Sequence, residues 1–264
     1  MPLRARHALA MCGAGGHFQR HMVSELETTL TQRARAGGTF DHIDHWVFDL
    51  DNTLYPPACD LFGQIDLRMA SFIGDFLKVD EVEARRVQKD FYVEHGTTLA
   101  GLMAVHAMEP AAFLAHVHDI DVSVVTPDPG LGEAIAALPG TKIIFTNGSV
   151  RHAENVINRL GIAHVFSGIY DIVTTGYTPK PQAEAYARFI AASAIAPERA
   201  AMFEDIPRNL EVPHALGMTT VWVRPQSEAG PERYQRLSHE GGDAAHVHHA
   251  TDDLRDFLGK LSKS

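Results

Sequence analysis

The stretch Trp46-Val47-Phe48-Asp49-Leu50-Asp51-Asn52-Thr53 decides the fold prediction for this chain of 264 residues. Three apolar residues run directly into Asp-x-Asp-x-Thr, which predicts a short strand that ends in acidic and hydroxyl side chains. A strand that is apolar on both faces fits a parallel sheet covered by helices. Polar residues at the carboxyl end of such a strand lie where α/β proteins build their binding sites.

Further apolar runs of the same kind follow along the chain. They predict strands over residues 142–145, 169–173, 200–203 and 219–223. Helical patterns separate them, over residues 150–160, 182–194 and 208–216. An exposed edge strand is also expected at residues 246–249. Strands that alternate with crossover helices predict an α/β fold, a Rossmann-like doubly wound parallel sheet.

Residues 55–125 interrupt this alternation because they contain no convincing strand pattern. Their first part has apolar residues at helical spacing, namely Phe62, Ile65, Met69, Phe72 and Phe76. Further helical patterns follow up to residue 118. We predict a helical-bundle cap domain over residues 55–125, inserted into an α/β core made of residues 41–54 and 126–264.

Composition limits the expected partners and compartment. The chain has 23 Lys and Arg against 33 Asp and Glu, a net charge of −10, so no general attraction to nucleic acid or to an anionic membrane is expected. Cys12 and Cys59 match no zinc spacing and fit a reducing cytosol, which predicts a cytoplasmic protein. Residues 1–40 lack the apolar segment of a signal peptide and are expected to be a flexible leader. The oligomeric state is left open.

The predicted strand ends carry polar residues that are expected to converge at one edge of the sheet. In chain order these residues are Asp49 and Asp51, Thr146-Asn147-Gly148, Lys180, and Glu204-Asp205. Clustered carboxylates repel one another unless a hard cation shares them, and oxygen ligands with open positions suit Mg²⁺. A lysine and a hydroxyl beside such a cation point to a bound phosphate group.

The order of these motifs resembles the haloacid dehalogenase (HAD) superfamily over about residues 44–223. The resemblance implies that Asp49 is a nucleophile that forms an aspartyl-phosphate, with Asp51 as general acid and base. Thr146 would hydrogen-bond the phosphoryl group and Lys180 would balance its charge. Dehalogenases of the superfamily resemble this pattern without the second Asp, so Asp51 favours phosphate chemistry over halide displacement.

The same resemblance implies the metal ligands and the phosphate cradle. Mg²⁺ would be held by Asp49, by the backbone carbonyl of Asp51 and by Asp205. Glu204 would be a further ligand or an outer partner. Backbone amides around Asn147 and Gly148 could cradle the phosphate oxygens.

Four stretches resemble the pyrimidine 5′-nucleotidase branch of the superfamily. They are residues 49–57, 91–102, 203–223 and 247–258. The implied substrate is a nucleoside 5′-monophosphate such as UMP or CMP, with His95, Thr97 and Thr98 of the cap contacting the ribose or base. The Gly-Thr-Thr turn fits helix capping equally well, with Thr as the N-cap and Gly after the preceding helix.

Other functions fit parts of the same pattern. A sugar phosphate, phosphoglycolate or another small phosphometabolite would keep the catalysis and change the substrate, and a phosphomutase is a further possibility. A non-catalytic phosphate-binding protein is the alternative of another class. The complete set Asp49, Asp51, Thr146, Lys180 and Asp205 favours an enzyme over that alternative.

Overall fold

Six parallel strands form the central sheet, in the order β3-β2-β1-β4-β5-β6. The computed structural model describes residues 40–227 and 232–261, so residues 1–39 of the expected leader lie outside the described residues. The strands are β1 His45–Phe48, β2 Thr141–Phe145, β3 Gly168–Tyr170, β4 Ala200–Glu204, β5 Thr219–Val223 and β6 His249–Thr251. Every neighbouring pair is parallel, which confirms the predicted doubly wound α/β fold.

The direction in which the chain crosses the sheet reverses between β1 and β4. The first three strands extend to one side of this point and the last three to the other. Phe48 at the end of β1 pairs with Phe203 of β4, so the residues that follow the two strands lie side by side. Such a switch point opens a crevice at the carboxyl ends of the strands.

The central strands of the sheet are buried on both faces, as their apolar residues predict, whereas the edge strands β3 and β6 are partly exposed. Val47 and Phe48 of β1 are fully buried, and the Phe48 ring stacks on Phe203 with centroids 4.7 Å apart. Trp46 is buried as well, and its indole N–H donates to the carbonyl of Pro139 at 2.7 Å. Burial contributes about 1.5–3 kcal/mol for each large apolar side chain, which makes the switch point a rigid platform.

Ten α-helices lie in the described part of the chain. Those before β2 are α1 Leu61–Leu77, α2 Glu81–His95, α3 Thr98–His106, α4 Pro110–Val117 and α5 Pro129–Ala136. Those after β2 are α6 Val150–Leu160, α7 Ala183–Ser193, α8 Glu211–Ala215, α9 Glu232–His239 and α10 Leu254–Leu261. None of the helices in the described ranges is long and apolar enough to span a bilayer.

Helices α1 to α4 pack around an apolar cluster that includes Ile73, Leu102 and Phe113, and Ile172 from the segment after β3 is part of the same cluster. A Cβ added at Gly101 would lie 2.4 Å from the Cβ of Phe91, so glycine is required where α3 approaches α2. These helices match the amphipathic patterns of the sequence, and residues 55–125 contain no strand. The assignment of residues 55–125 as a separate cap domain stays a prediction.

Strand β3 is shorter than predicted, because it ends at Tyr170 and not at Val173. The Asp171 carboxylate accepts hydrogen bonds from the N–H and hydroxyl of Thr174, both at 2.9 Å, and from the N–H of Val150 at 3.1 Å. This turn chemistry outweighs the apolar pattern of Ile172 and Val173.

The edge strand begins later than predicted, at His249 rather than His246. The Thr220 hydroxyl donates to the carbonyl of His246 at 2.7 Å and accepts from the N–H of His248 at 3.1 Å. A side chain of β5 therefore takes the hydrogen bonds that strand pairing would otherwise use. Residues 246–248 lie beside the sheet without extending it.

Candidate active site

Polar residues from separate strands meet at the carboxyl edge of the sheet, at the switch point between β1 and β4. The N–H of Asp49, directly after β1, donates to the carbonyl of Phe203 at 2.9 Å. The N–H of Thr146, directly after β2, donates to the carbonyl of Tyr170 at 3.0 Å. These bonds continue the sheet ladder by one residue and fix the backbone of both side chains.

Lys180 is the cation at the centre of this site, and its side chain is 1% exposed. Its Nζ donates to Oδ1 of Asp49 at 2.6 Å, to Oε1 of Glu204 at 2.7 Å and to the carbonyl of Phe145 at 2.9 Å. These three acceptors match the three protons of an ammonium group. Burial alone would lower the pKa of Lys180, but the two carboxylates outweigh it and raise the pKa above its ordinary value.

Asp49 lies among more negative charge than Lys180 offsets. Burial raises the pKa of Asp49 to about 7, with Lys180 acting in the opposite direction and Glu204 adding to the rise. Its Oδ2 accepts from the Thr53 hydroxyl at 3.2 Å. An added cation would therefore favour the ionised form that a nucleophile requires.

The two acidic residues that end β4 have different surroundings. Both oxygens of Glu204 are engaged: Oε1 accepts from Lys180 and from Nδ2 of Asn209 at 2.7 Å, and Oε2 accepts from the N–H of Ile206 at 2.9 Å. Oδ2 of Asp205 is buried and has no hydrogen-bond partner in the described residues. Burial and the neighbouring Glu204 raise the pKa of Asp205 well above its usual range.

Asp49, Glu204 and Asp205 form the acidic cluster that could hold a metal ion. Their ligand oxygens lie within 4.8 Å of one another. Hard oxygen donors of this kind suit Mg²⁺. Among these carboxylates Asp205 has the unpartnered oxygen, whereas Glu204 is held by Lys180 and Asn209. The carboxylate of Asp51 is not part of the cluster. The predicted metal ligand from this residue is its backbone carbonyl, and that assignment stays a prediction.

Asp51 is held by two donors on one of its oxygens. Oδ1 accepts from the Tyr55 hydroxyl at 2.6 Å and lies 2.7 Å from Nε2 of His152. Burial would raise the pKa of Asp51, but the adjacent His152 outweighs it and lowers the pKa below its ordinary value. In return the Asp51 carboxylate raises the pKa of His152 against the effect of burial.

The turn after β2 carries Thr146, Asn147 and Gly148. Oγ1 of Thr146 accepts from the N–H of Gly148 at 2.9 Å. The Asn147 carboxamide binds the backbone of Lys180 twice: Oδ1 accepts from its N–H at 2.9 Å and Nδ2 donates to its carbonyl at 3.2 Å. The Asn147 side chain thus orients Lys180. The phosphate cradle predicted for the backbone amides of this turn stays a prediction, and the N–H of Gly148 donates to Thr146.

The predicted substrate residues of the cap form the turn between α2 and α3. Oγ1 of Thr97 accepts from the N–H of Ala100 at 3.0 Å, which makes Thr97 the N-cap of α3. The Thr98 hydroxyl donates to the carbonyl of Gln88 at 3.0 Å. Both hydroxyls therefore make hydrogen bonds within the helical segment, by which we mean residues 61–117 with α1 to α4.

This turn lies next to the loop that carries Lys180. Gly96 ends α2 with φ 83°, and a Cβ added there would lie 3.4 Å from Nε2 of Gln182. Gln182 follows Lys180 by two residues in the sequence. The ring of His95 is partly exposed and packs edge-on against Phe91, with centroids 5.7 Å apart.

Several site residues carried no interpretable signal in the sequence. His152 is completely buried. It meets Asp51 across 101 positions, a pairing that no local pattern indicates. Tyr55 follows Asp51 by four residues, and this short spacing is the one sequence feature that indicates their contact. Tyr234 lies buried beside Asp205, and burial together with that carboxylate raises the pKa of Tyr234.

Residues 43–217 match a protein-family model described as haloacid dehalogenase-like hydrolase. Among curated proteins, Phosphate metabolism protein 8 of Saccharomyces cerevisiae is 30% identical over 134 residues, which cover 46% of this chain. The match spans 41% of the length of that relative.

Solved structures with similar folds include an L-2-haloacid dehalogenase from Xanthobacter autotrophicus with chloropropionic acid covalently bound. It is 15% identical with a TM-score of 0.55, and the match covers 84% of this chain and 99% of that chain. A haloacid dehalogenase-like protein of unknown function from Agrobacterium tumefaciens is 16% identical with a TM-score of 0.52, covering 84% and 98%. At these identities the likeness concerns the fold alone.

Proposed function

The chain belongs to the haloacid dehalogenase-like hydrolases, and from this premise we propose that it is a Mg²⁺-dependent phosphomonoester hydrolase acting through an aspartyl-phosphate on Asp49. The proposed substrates are pyrimidine nucleoside 5′-monophosphates, UMP or CMP. The name of the yeast relative refers to phosphate metabolism, which supports phosphate over halide chemistry. The two cysteines of the sequence suggest a cytoplasmic location.

One observation carries the proposal: Asp51 follows the nucleophile by two residues and is held by Tyr55 and His152. Hydrolysis of a phosphomonoester needs a group that protonates a poor leaving group and later deprotonates water. Halide displacement needs no such group, because a halide leaves without a proton. A half-buried carboxylate held beside the nucleophile supports the first reaction.

The residues present fit a magnesium ion. Three clustered carboxylates face one lysine, and Oδ2 of Asp205 has no partner in the described part of the chain. Asp49, Asp205 and the backbone carbonyl of Asp51 would hold the ion, with Glu204 bound to Lys180 beside them. When bound, Mg²⁺ supplies charge stabilisation for the phosphoryl oxygens and keeps Asp49 ionised.

In the first step a carboxylate oxygen of Asp49 attacks phosphorus and the bond from phosphorus to the leaving oxygen breaks. Asp51, whose carboxylate takes up the acidic proton of the bound phosphate monoester, passes it to that oxygen, so the alcohol leaves neutral. Lys180 and the backbone amides of the Gly148 turn stabilise charge on the phosphoryl group. In the second step Asp51 takes a proton from water, which attacks the phosphorus of the aspartyl-phosphate. Inorganic phosphate leaves and Asp49 is restored.

The substrate proposal rests on the helical segment. Its residues 91–102 resemble the nucleotidase branch, and the turn at Gly96 lies next to Gln182 of the Lys180 loop. A substrate with its phosphate beside Lys180 would extend towards this turn. Because the Thr97 and Thr98 hydroxyls are already bonded, contact would come from backbone groups, from His95, or from hydroxyls that change partner.

The test is phosphate release from UMP, CMP, dUMP, AMP, GMP, phosphoglycolate and hexose phosphates, with Mg²⁺ and with EDTA. Chloride release from 2-chloropropionate is measured in parallel. We expect Mg²⁺-dependent phosphate release that is highest for UMP and CMP.

Release confined to a sugar or acid phosphate would keep the catalytic proposal and overturn the nucleotide proposal. Chloride release without phosphate release would overturn the phosphatase proposal. Binding of inorganic phosphate without turnover of any substrate would favour the non-catalytic alternative.

A further inference from the structure

Asp51 has two oxygens with different environments. Oδ1 accepts from the Tyr55 hydroxyl at 2.6 Å and lies 2.7 Å from Nε2 of His152. No described residue donates a hydrogen bond to Oδ2. We propose that Tyr55 and His152 are positioning residues that select Oδ2 of Asp51 as the atom that exchanges protons with substrate and water. This inference rests on the proposed phosphatase function.

Oδ2 faces the turn that is proposed to bind the phosphoryl group. A Cβ added at Gly148 would lie 3.7 Å from Oδ2 of Asp51 and 3.3 Å from Oγ1 of Thr146. Oδ2 and the Thr146 hydroxyl therefore border the same small space, which is open because residue 148 is glycine. A half-turn about the last bond of the carboxylate exchanges two equivalent oxygens and keeps both hydrogen bonds, whereas any intermediate rotation loses them. The two donors therefore fix the plane of the carboxylate, with one oxygen directed towards this space.

The two donors are themselves fixed. Tyr55 is 3% exposed and His152 is completely buried. The His152 ring stacks on His118, with centroids 4.6 Å apart and planes 13° from parallel. His118 directly follows α4, and its Nδ1 lies 2.9 Å from the Ser149 hydroxyl. The helical segment thus holds His152 against Asp51, and Nδ1 of His152 has no partner in the described residues that would turn the ring another way.

This arrangement has a direct chemical consequence. When Oδ2 gives its proton to the leaving oxygen, negative charge develops on the Asp51 carboxylate. The hydroxyl of Tyr55 and the ring of His152 hold the carboxylate at Oδ1 while Oδ2 loses or gains its proton. Without these donors the carboxylate is free to turn away from the leaving oxygen. The effect matters most for a basic leaving group, because such a group requires full proton transfer.

Single-turnover kinetics with a series of phosphate monoesters separates this role from a structural one. The series runs from p-nitrophenyl phosphate, whose leaving group needs little protonation, through phenyl phosphate to alkyl phosphates. We expect His152→Leu to slow the first turnover of alkyl phosphates about 10²-fold and that of p-nitrophenyl phosphate by less than about 3-fold. His152→Gln, which keeps a donor near the Nε2 position, should recover most of the loss.

Tyr55→Phe provides a second test that does not depend on replacing a buried ring, since it removes a single oxygen. It should slow alkyl phosphates about 10-fold, again with little effect on p-nitrophenyl phosphate. Val156→Ala is the matched control, because Val156 is fully buried one turn after His152 on α6 and its apolar side chain cannot donate to Asp51. It should lower stability without changing the dependence on the leaving group.

An equal loss across all leaving groups in both Tyr55→Phe and His152→Leu would overturn the positioning role and leave the proposed function intact. Failure of the native chain to hydrolyse any ester of the series would overturn the proposed function, and this inference with it. The activity of the native protein distinguishes the two outcomes: it is present if only the positioning role fails, and absent if the proposed function fails.

Discussion

The sheet edge around Asp49 and the turn at residues 96–98 are both polar, but they use their polar groups differently. At the sheet edge three carboxylates lie together and Lys180 donates to two of them, while Oδ2 of Asp205 has no partner in the described residues. In the turn, Oγ1 of Thr97 accepts from a helix N–H and the Thr98 hydroxyl donates to a carbonyl. The sheet edge has more negative charge and more acceptors than the described residues satisfy.

The difference indicates where a ligand would lower the free energy most. A buried polar atom without a partner costs about 1–3 kcal/mol, and a buried unpaired charge costs more. A ligand that pairs with such groups offsets this cost. A cation bound to Asp49 and Asp205 would do so at the sheet edge. The turn is already satisfied, so its hydroxyls stabilise α3 whether or not a substrate is present.

The largest expected effect is on turnover at the sheet edge. Asp49→Asn removes the nucleophile and should lower the rate of phosphate release by at least about 10³-fold. The variant should still fold, because it removes a charge that burial disfavours. Phosphate-release assays and circular dichroism measure the two results, and substantial remaining activity would exclude the covalent mechanism.

The next effect is on the stability of the fold. Asp49→Asn removes a charge that burial disfavours, whereas a change at Lys180 removes the cation that offsets two such charges. Lys180→Met leaves Asp49 and Glu204 buried without their shared cation, so the free energy of unfolding should fall by about 3–5 kcal/mol. Urea unfolding without added metal measures it. Lys260→Met, which breaks an exposed pair with Asp256, is the control and should shift the midpoint little. An equally small shift for Lys180→Met would mean that the carboxylates are protonated or solvated.

The pH dependence of stability tests the surplus of negative charge directly. Because burial raises the pKa of Asp49 from 3.8 to about 7, its stabilising protonated form is complete below about pH 4 and is lost as the pH rises through 7. In EDTA, the free energy of unfolding of Asp49→Asn minus that of the native chain should therefore increase from pH 4 to pH 7. Added Mg²⁺ should reduce the difference by stabilising the native carboxylate. A difference that stays constant with pH would mean that Asp49 titrates normally.

The smallest effect is expected in the turn. Thr97→Ala removes the N-cap of α3 and should cost about 1 kcal/mol of stability while changing KM for UMP by less than about 2-fold. Asp80→Ala, which removes the N-cap of α2, is the matched control away from the turn. A selective rise in KM for nucleotides, absent with p-nitrophenyl phosphate, would instead assign Thr97 to substrate binding.

The sequence predicted the strands and most helices because their apolar patterns are local. It was less accurate where side chains replace backbone hydrogen bonds: Asp171 ends β3 early, and Thr220 delays β6. It also indicated the polar residues at the strand ends, since parallel strands align their carboxyl ends. The partners of those residues, such as Asn209 on Glu204, depend on packing that no local pattern encodes.

By itself, the sequence determined the α/β fold and the chemical types at the sheet edge, because short-range periodicity and strand-end residues suffice for both. The tertiary structure alone decided that Asp205 rather than Glu204 keeps an unpartnered oxygen, and that His152 holds Asp51 across 101 positions. The physical reason is that pKa values and hydrogen bonds depend on distance and burial. Both are fixed only when segments remote in the chain pack against each other.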